Sequence, residues 1–172
     1  MPTPTATGNL DDNVNWRKQW WEAIVTQTWR ETPWFGVGFG THLAHAFGFT
    51  KIPDDSVRSP HSIHITWLAR GGLVGLGLWM LVNILWIGSV WAARRRFVAA
   101  GLMTPAHLST WCMCVWVAMG LNASFDIYLE GPAGGIWYWS LIGLGLFLIV
   151  LSRPVQAAED RSLNSPLAKG ST

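Results

Sequence analysis

The chain has 172 residues, half of them hydrophobic and only 13% charged, where a soluble domain carries about a quarter charged residues. A net charge of +2 is too weak a field for a nucleic-acid partner, and no basic helix with interleaved stacking residues occurs. Charge clusters up to Arg70, in Arg94 to Arg96 and from Arg153 on, and the stretches between, with almost none, imply an all-α integral membrane fold with three transmembrane helices behind an external amphipathic helix and loop.

Residues 1–12 are rich in Pro, Thr, Gly and Asp and read as a disordered N-terminus. No basic start followed by an apolar run marks a signal peptide there. Residues 13–63 form the external region. From Asp12 or Asn13, cap-favouring residues open a helix in which Trp16, Trp20, Ala23, Ile24 and Gln27 share a side, while Arg17, Lys18, Glu22 and Arg30 supply charge. Such a helix lies on a membrane surface or on neighbouring helices. Pro33 and the run Gly36-Val37-Gly38-Phe39-Gly40 end it. No strand precedes these glycines, so a tight turn is expected rather than a phosphate cradle. Residues 41–60, with His42, His45, Lys51, Asp54, Asp55, Arg58 and Pro60, read as a loop with one short helix.

Residues 64–153 form the membrane region. The first span is expected from about Ile65 to Ala93, its part from Gly71 onward being free of charge over about 23 residues. Arg94 to Arg96 follow at once, and the positive-inside tendency puts them in the cytoplasm, which leaves everything before His61 external. Gly71 and Gly75, four apart, would let another helix approach. A second span from about Ala106 to Phe125 returns outward and a third from about Gly134 to Ser152 comes back, stopping at Arg153-Pro154. The tail 154–172 reads as disordered and cytoplasmic. Trp67, Trp86, Trp91, Trp111, Trp137 and Trp139 lie near span ends, where indoles favour the headgroup level. Cys112 and Cys114 point to different sides of a helix and read as packing residues; no metal site or cofactor is expected.

The external side gathers His61, His64, Arg17, Arg30, Arg58, Arg70, Asp126 and Glu130, a density of ionisable groups that more often marks a pathway or site than packing. His61 follows Pro60 at the membrane edge, where a base near neutral pH can deprotonate a sugar hydroxyl. Taken alone it reads first as an interfacial histidine that hydrogen-bonds to a neighbour or a headgroup. For Arg70 the competing reading is a snorkelling side chain, and for Asp126 and Glu130 it is capping of the last helix.

The pattern around these residues resembles a known family. His61-Ser62, nine residues, then Gly72-Leu73-Val74-Gly75 is similar to the periplasmic signature of the O-antigen ligase and polymerase family of bacterial membrane glycosyltransferases. Arg17, Trp21 and Ala23, followed by Pro33-Trp34-Phe35-Gly36-Val37-Gly38, resemble that family's Arg-x-x-x-Trp helix and Pro-x-x-Gly-x-Gly turn. Phe125-Asp126 and Leu129-Glu130-Gly131-Pro132 match a third piece.

The resemblance implies an inner-membrane, multi-pass enzyme with its N-terminal segment periplasmic and its C-terminus cytoplasmic. Its donor is a glycan on undecaprenyl diphosphate, and transfer goes with inversion and without metal to a hydroxyl of a glycan, a lipid-A core or a protein. By the same resemblance His61 is the catalytic histidine, acting as base or as partner of the diphosphate, and Arg17 grips the diphosphate. Arg58 and Arg70 are assigned to substrate binding as further positive charge. Family members carry about a dozen spans, so three imply a C-terminal portion whose site needs a missing N-terminal membrane half. The alternative is a non-catalytic membrane subunit or an inactive fragment.

Overall fold

The computed structural model describes residues 10–48, 59–126 and 128–163, and among them every regular element is helical. In order these are α1 (Leu10–Glu31), α2 (Leu43–Ala46), α3 (Ile63–Ala99), α4 (Met103–Ala123), a 3-10 turn (Tyr128–Glu130) and α5 (Pro132–Leu163). Two helices are long and apolar enough to cross a membrane: α3, and α5 over Pro132–Val155. The expected middle span, α4, is not among them; it interrupts its apolar residues with His107, Ser109, Thr110, Gly120 and Asn122. The last helix runs through Pro154 to Leu163, beyond the expected stop at Ser152.

The residues group into two compact units, one of Met1–Met80 with Asn122–Glu130, the other of Leu81–Leu121 with Gly131–Thr172. In the first, Trp20, Ile24 and Thr28 recur every four positions and are fully buried, as the 3.6-residue helical period requires of an inward stripe. Trp20 and Ile24 pack on Leu43, Ala44 and Phe47 from α2 and its end, and on Ala69 of α3. The apolar stripe of α1 is therefore covered by neighbouring helices within the unit.

The expected continuous first span is broken. Gly72 sits inside α3 with φ 61° and ψ −157°, a conformation open to glycine alone. Breaking a helix orphans the carbonyls before the break and the amides after it. Here the loop after α1 supplies both sets. Val37 and Gly38 donate to the carbonyls of Ala69 and Arg70 at 2.9 Å each, while Leu73 and Val74 donate to the carbonyls of Pro33 and Trp34 at 2.8 and 3.1 Å. The two backbones lie so close that a Cβ on Gly72 would meet the Trp34 carbonyl carbon at 2.4 Å, and one on Gly36 (φ 63°) the Ala69 oxygen at 2.4 Å. Irregular backbone at membrane depth is tolerated only when its polar groups are satisfied in this way. The close approach thus belongs to Gly72 and Gly36. Gly71 and Gly75, expected to seat another helix, instead lie under the ring of Trp67 in their own helix, and that ring stacks on Trp79 at 5.7 Å.

The second unit is regular. Trp86, Val90, Ala93 and Phe97 are buried at alternating four- and three-residue steps, as are Tyr138, Leu141, Leu148 and Ser152 on α5, the spacing of helices packed knobs into holes. Gly145 completes the α5 stripe by making room for Trp86, whose ring would lie 2.4 Å from an added Cβ. The Trp86 indole also donates to the Ile142 carbonyl at 3.1 Å. Asn83 Oδ1 accepts from Trp116 at 3.2 Å and from the Tyr138 hydroxyl. Gly101 (φ 73°) ends α3: Leu102 donates to Phe97 and Gly101 to Val98, the paired bonds of a Schellman cap. Leu78, Leu81, Ile84 and Leu85 of α3 stay exposed, as does Ile136 of α5.

Candidate functional site

Within the first unit, His61 has φ 55° and is the one non-glycine residue with positive φ among those described. A left-handed backbone at a residue with a Cβ costs about 1–2 kcal/mol and persists only when its surroundings enforce it. Three neighbours do so here. The Trp21 indole donates to the Pro60 carbonyl at 2.6 Å, fixing the residue before His61. Ser59 and Thr66 hydroxyls, on either side of it, both donate to Oε1 of Glu130, at 2.6 and 2.7 Å. The Trp16 ring stands edge-on to the imidazole with centroids 6.4 Å apart.

Arg17 and Trp21 lie one helical turn apart, so they share a face of α1. While Trp21 holds Pro60, Arg17 donates from Nη1 to the Phe125 carbonyl at 3.0 Å, and its Nε is buried without a partner among the described residues. Nδ1 of His61 is likewise buried without a partner among them. Burial above all, and then the Arg17 charge, push the His61 pKa below its ordinary 6.5, while Asp126 and Glu130 pull it up. One imidazole is thus in electrostatic contact with one guanidinium and two carboxylates. Three residues further on, His64 shares a 3.2 Å hydrogen bond with Ser124.

The structure therefore brings together His61, Arg17, Asp126 and Glu130 from three parts of the sequence. Arg70 is placed differently. Its Nη1 donates to the carbonyls of Phe39 at 2.8 Å, Thr41 at 3.1 Å and Gly38 at 3.5 Å, so it staples the loop that fills the break in α3. Arg58 lies outside the described residues. Glu130, expected as a helix cap, is an acceptor for the Ser59 and Thr66 hydroxyls instead. Ser59 and Thr66 were not singled out in the sequence, and Trp16 was read only as part of the shared side of α1. The one available signal was Trp16 immediately before Arg17 on a helix that already carried Trp20 and Trp21.

Comparison with known proteins bears on this arrangement. A family model described as O-antigen ligase matches residues 3–80, the interval that holds α1, the glycine turn, His61 and the break in α3. The O-antigen ligase of Pseudomonas aeruginosa (strain PAO1) is 28% identical over 138 residues, which cover 79% of this chain and 30% of that protein. The chain accordingly spans less than a third of the length of this curated relative. No solved structure matches.

Proposed function

We propose, given that this membrane chain belongs to the O-antigen ligase family, that it supplies the C-terminal part of a periplasm-facing, inverting glycosyltransferase. The donor is a glycan on undecaprenyl diphosphate, and the acceptor is a hydroxyl on a glycan, a lipid-A core or a protein. In this reading α3, α4 and α5 cross the inner membrane. Arg94 to Arg96 lie on the cytoplasmic side, and α1 with its loops faces the periplasm. The rest of the site comes from further membrane helices.

The acceptor oxygen attacks the anomeric carbon from the face opposite the carrier. The bond from that carbon to the diphosphate oxygen breaks, and the hydroxyl proton passes to His61. The carrier leaves as a diphosphate anion whose charge Arg17 balances, a guanidinium being suited to grip two phosphoryl oxygens without metal. Resemblance alone leaves His61 as base or as cationic partner of the diphosphate. Its lowered pKa favours the base, since the imidazole is then neutral near pH 7.

The observation that carries the reading is the strained backbone at His61, which holds the imidazole within the field of the Arg17 guanidinium. Its test is transfer of lipid-linked glycan in native membranes containing His61→Ala at matched protein level. A fall of about 10²-fold or more is expected for loss of a general base. Unchanged transfer leaves the chain a non-catalytic membrane subunit.

A further inference from the structure

The second unit holds a separate feature. At the C-terminal end of α3 an open cavity of about 330 Å³ is lined by Trp91, Ala92, Arg95, Arg96 and Ala99. Its lining joins one tryptophan and two alanines to two arginines, all on α3. The three successive arginines are not equivalent. Arg94 is not among the lining residues: its Nε donates to Thr110 at 2.8 Å, and its guanidinium lies over the ring of Trp91 at 5.4 Å. Arg96 is held in place, donating from Nη1 to Ser152 at 3.2 Å, while Ser152 in turn donates to the Ile149 carbonyl at 2.8 Å. Arg95 is exposed and makes no hydrogen bond to any described residue. Among the residues whose side chains are described, no carboxylate pairs with any of the three.

Two arginines lining one cavity at the end of a helix long and apolar enough to cross the bilayer offer positive charge where an anionic headgroup could be met. We propose that this cavity binds the phosphate of one anionic phospholipid, gripped by Arg95 and Arg96, with the glycerol and upper acyl chain against Trp91, Ala92 and Ala99. Arg96, pre-positioned by Ser152, supplies a fixed donor pair, and Arg95 closes over the phosphate from the open side. The occupant is a lipid rather than free phosphate because three of the five lining residues are apolar and one of them, Trp91, belongs to the exposed apolar residues of α3. This inference rests on α3 spanning the bilayer and is independent of glycan transfer.

The test is native mass spectrometry of the full chain in mild detergent with added dioleoylphosphatidylglycerol or dioleoylphosphatidylcholine. The chain is expected to retain the anionic lipid several-fold more than the zwitterionic one. Arg95→Gln should lower that retention about five-fold, the value of one arginine at an anionic surface, and Arg94→Gln should leave it within two-fold. Ala99→Trp, which fills the cavity and keeps every charge, should abolish the preference without changing helical content. Equal retention of the two lipids, equal losses in the Arg94 and Arg95 variants, an unaffected Ala99→Trp, or displacement by millimolar inorganic phosphate would each overturn the site.

Discussion

The two units solve the problem of burying helices in opposite ways. In the second, side chains at heptad-like steps interlock, Gly145 admits Trp86, and a glycine-capped turn at Gly101 joins α3 to α4. The backbone there follows the rules that side-chain patterning sets. In the first, the main chain itself is irregular: α3 is broken at Gly72, the loop at Pro33–Gly38 fills the break, and His61 is held left-handed. Regular packing needs only hydrophobic spacing, whereas an irregular backbone needs each exposed donor and acceptor matched by a named partner. The candidate site lies in the irregular unit, where such matching fixes an imidazole that local preference would have placed otherwise.

Substitutions that distinguish the units sharpen this contrast. The largest effect belongs to His61→Ala, with transfer down about 10²-fold or more while thermal unfolding in detergent stays at or above that of the parent, since alanine at this position loses no internal hydrogen bond. Gly72→Ala adds a methyl against the Trp34 backbone in a left-handed conformation and should destabilise by about 3 kcal/mol. Gly88→Ala, where a Cβ meets nothing within 4 Å, should be neutral or stabilising by up to about 1 kcal/mol. Equal unfolding midpoints for the two alanine variants would break the comparison.

Arg70→Met removes the donor that holds three loop carbonyls and should cost about 2 kcal/mol, read as a lowered unfolding midpoint and as protease cleavage within residues 34–41. A variant that raises KM for the donor and leaves the loop protected would return Arg70 to substrate binding. The smallest effect is expected for Ser152→Ala in the regular unit, about 1 kcal/mol for one lost hydrogen bond to a charged group that retains water on its other side.

Much of the regular unit was legible in the sequence. Three long apolar helices follow from the nearly charge-free runs, although α3 continues past the arginine triplet to Ala99 and α5 past Pro154 to Leu163. The site was legible in part. Arg17, Trp21 and His61 stood out as a spaced pattern, and the structure puts Arg17 and His61 in electrostatic contact. Periodicity could not show that Pro33–Gly38 pairs with Ala69–Val74, because main-chain bonds across more than thirty positions leave no mark on side-chain alternation. For the same reason Gly71 and Gly75 invited a helix-packing reading while Gly72, the glycine that the break requires, looked like one more small residue. Arg70 and Glu130 were read by charge alone, and their partners turned out to be neutral carbonyls and hydroxyls.

The most direct test of a neutral imidazole working beside a guanidinium is the pH dependence of glycan transfer in the parent and in Arg17→Gln. Burial and the Arg17 charge hold the His61 pKa below 6.5, so transfer should be level above that pH and fall on acidification as the base is protonated. Removing Arg17 takes away a charge that lowers this pKa, so the acid limb should move to higher pH alongside the loss of rate, and Glu130→Gln should move it to lower pH. An acid limb that stays in place in Arg17→Gln, or moves to lower pH, would contradict the account.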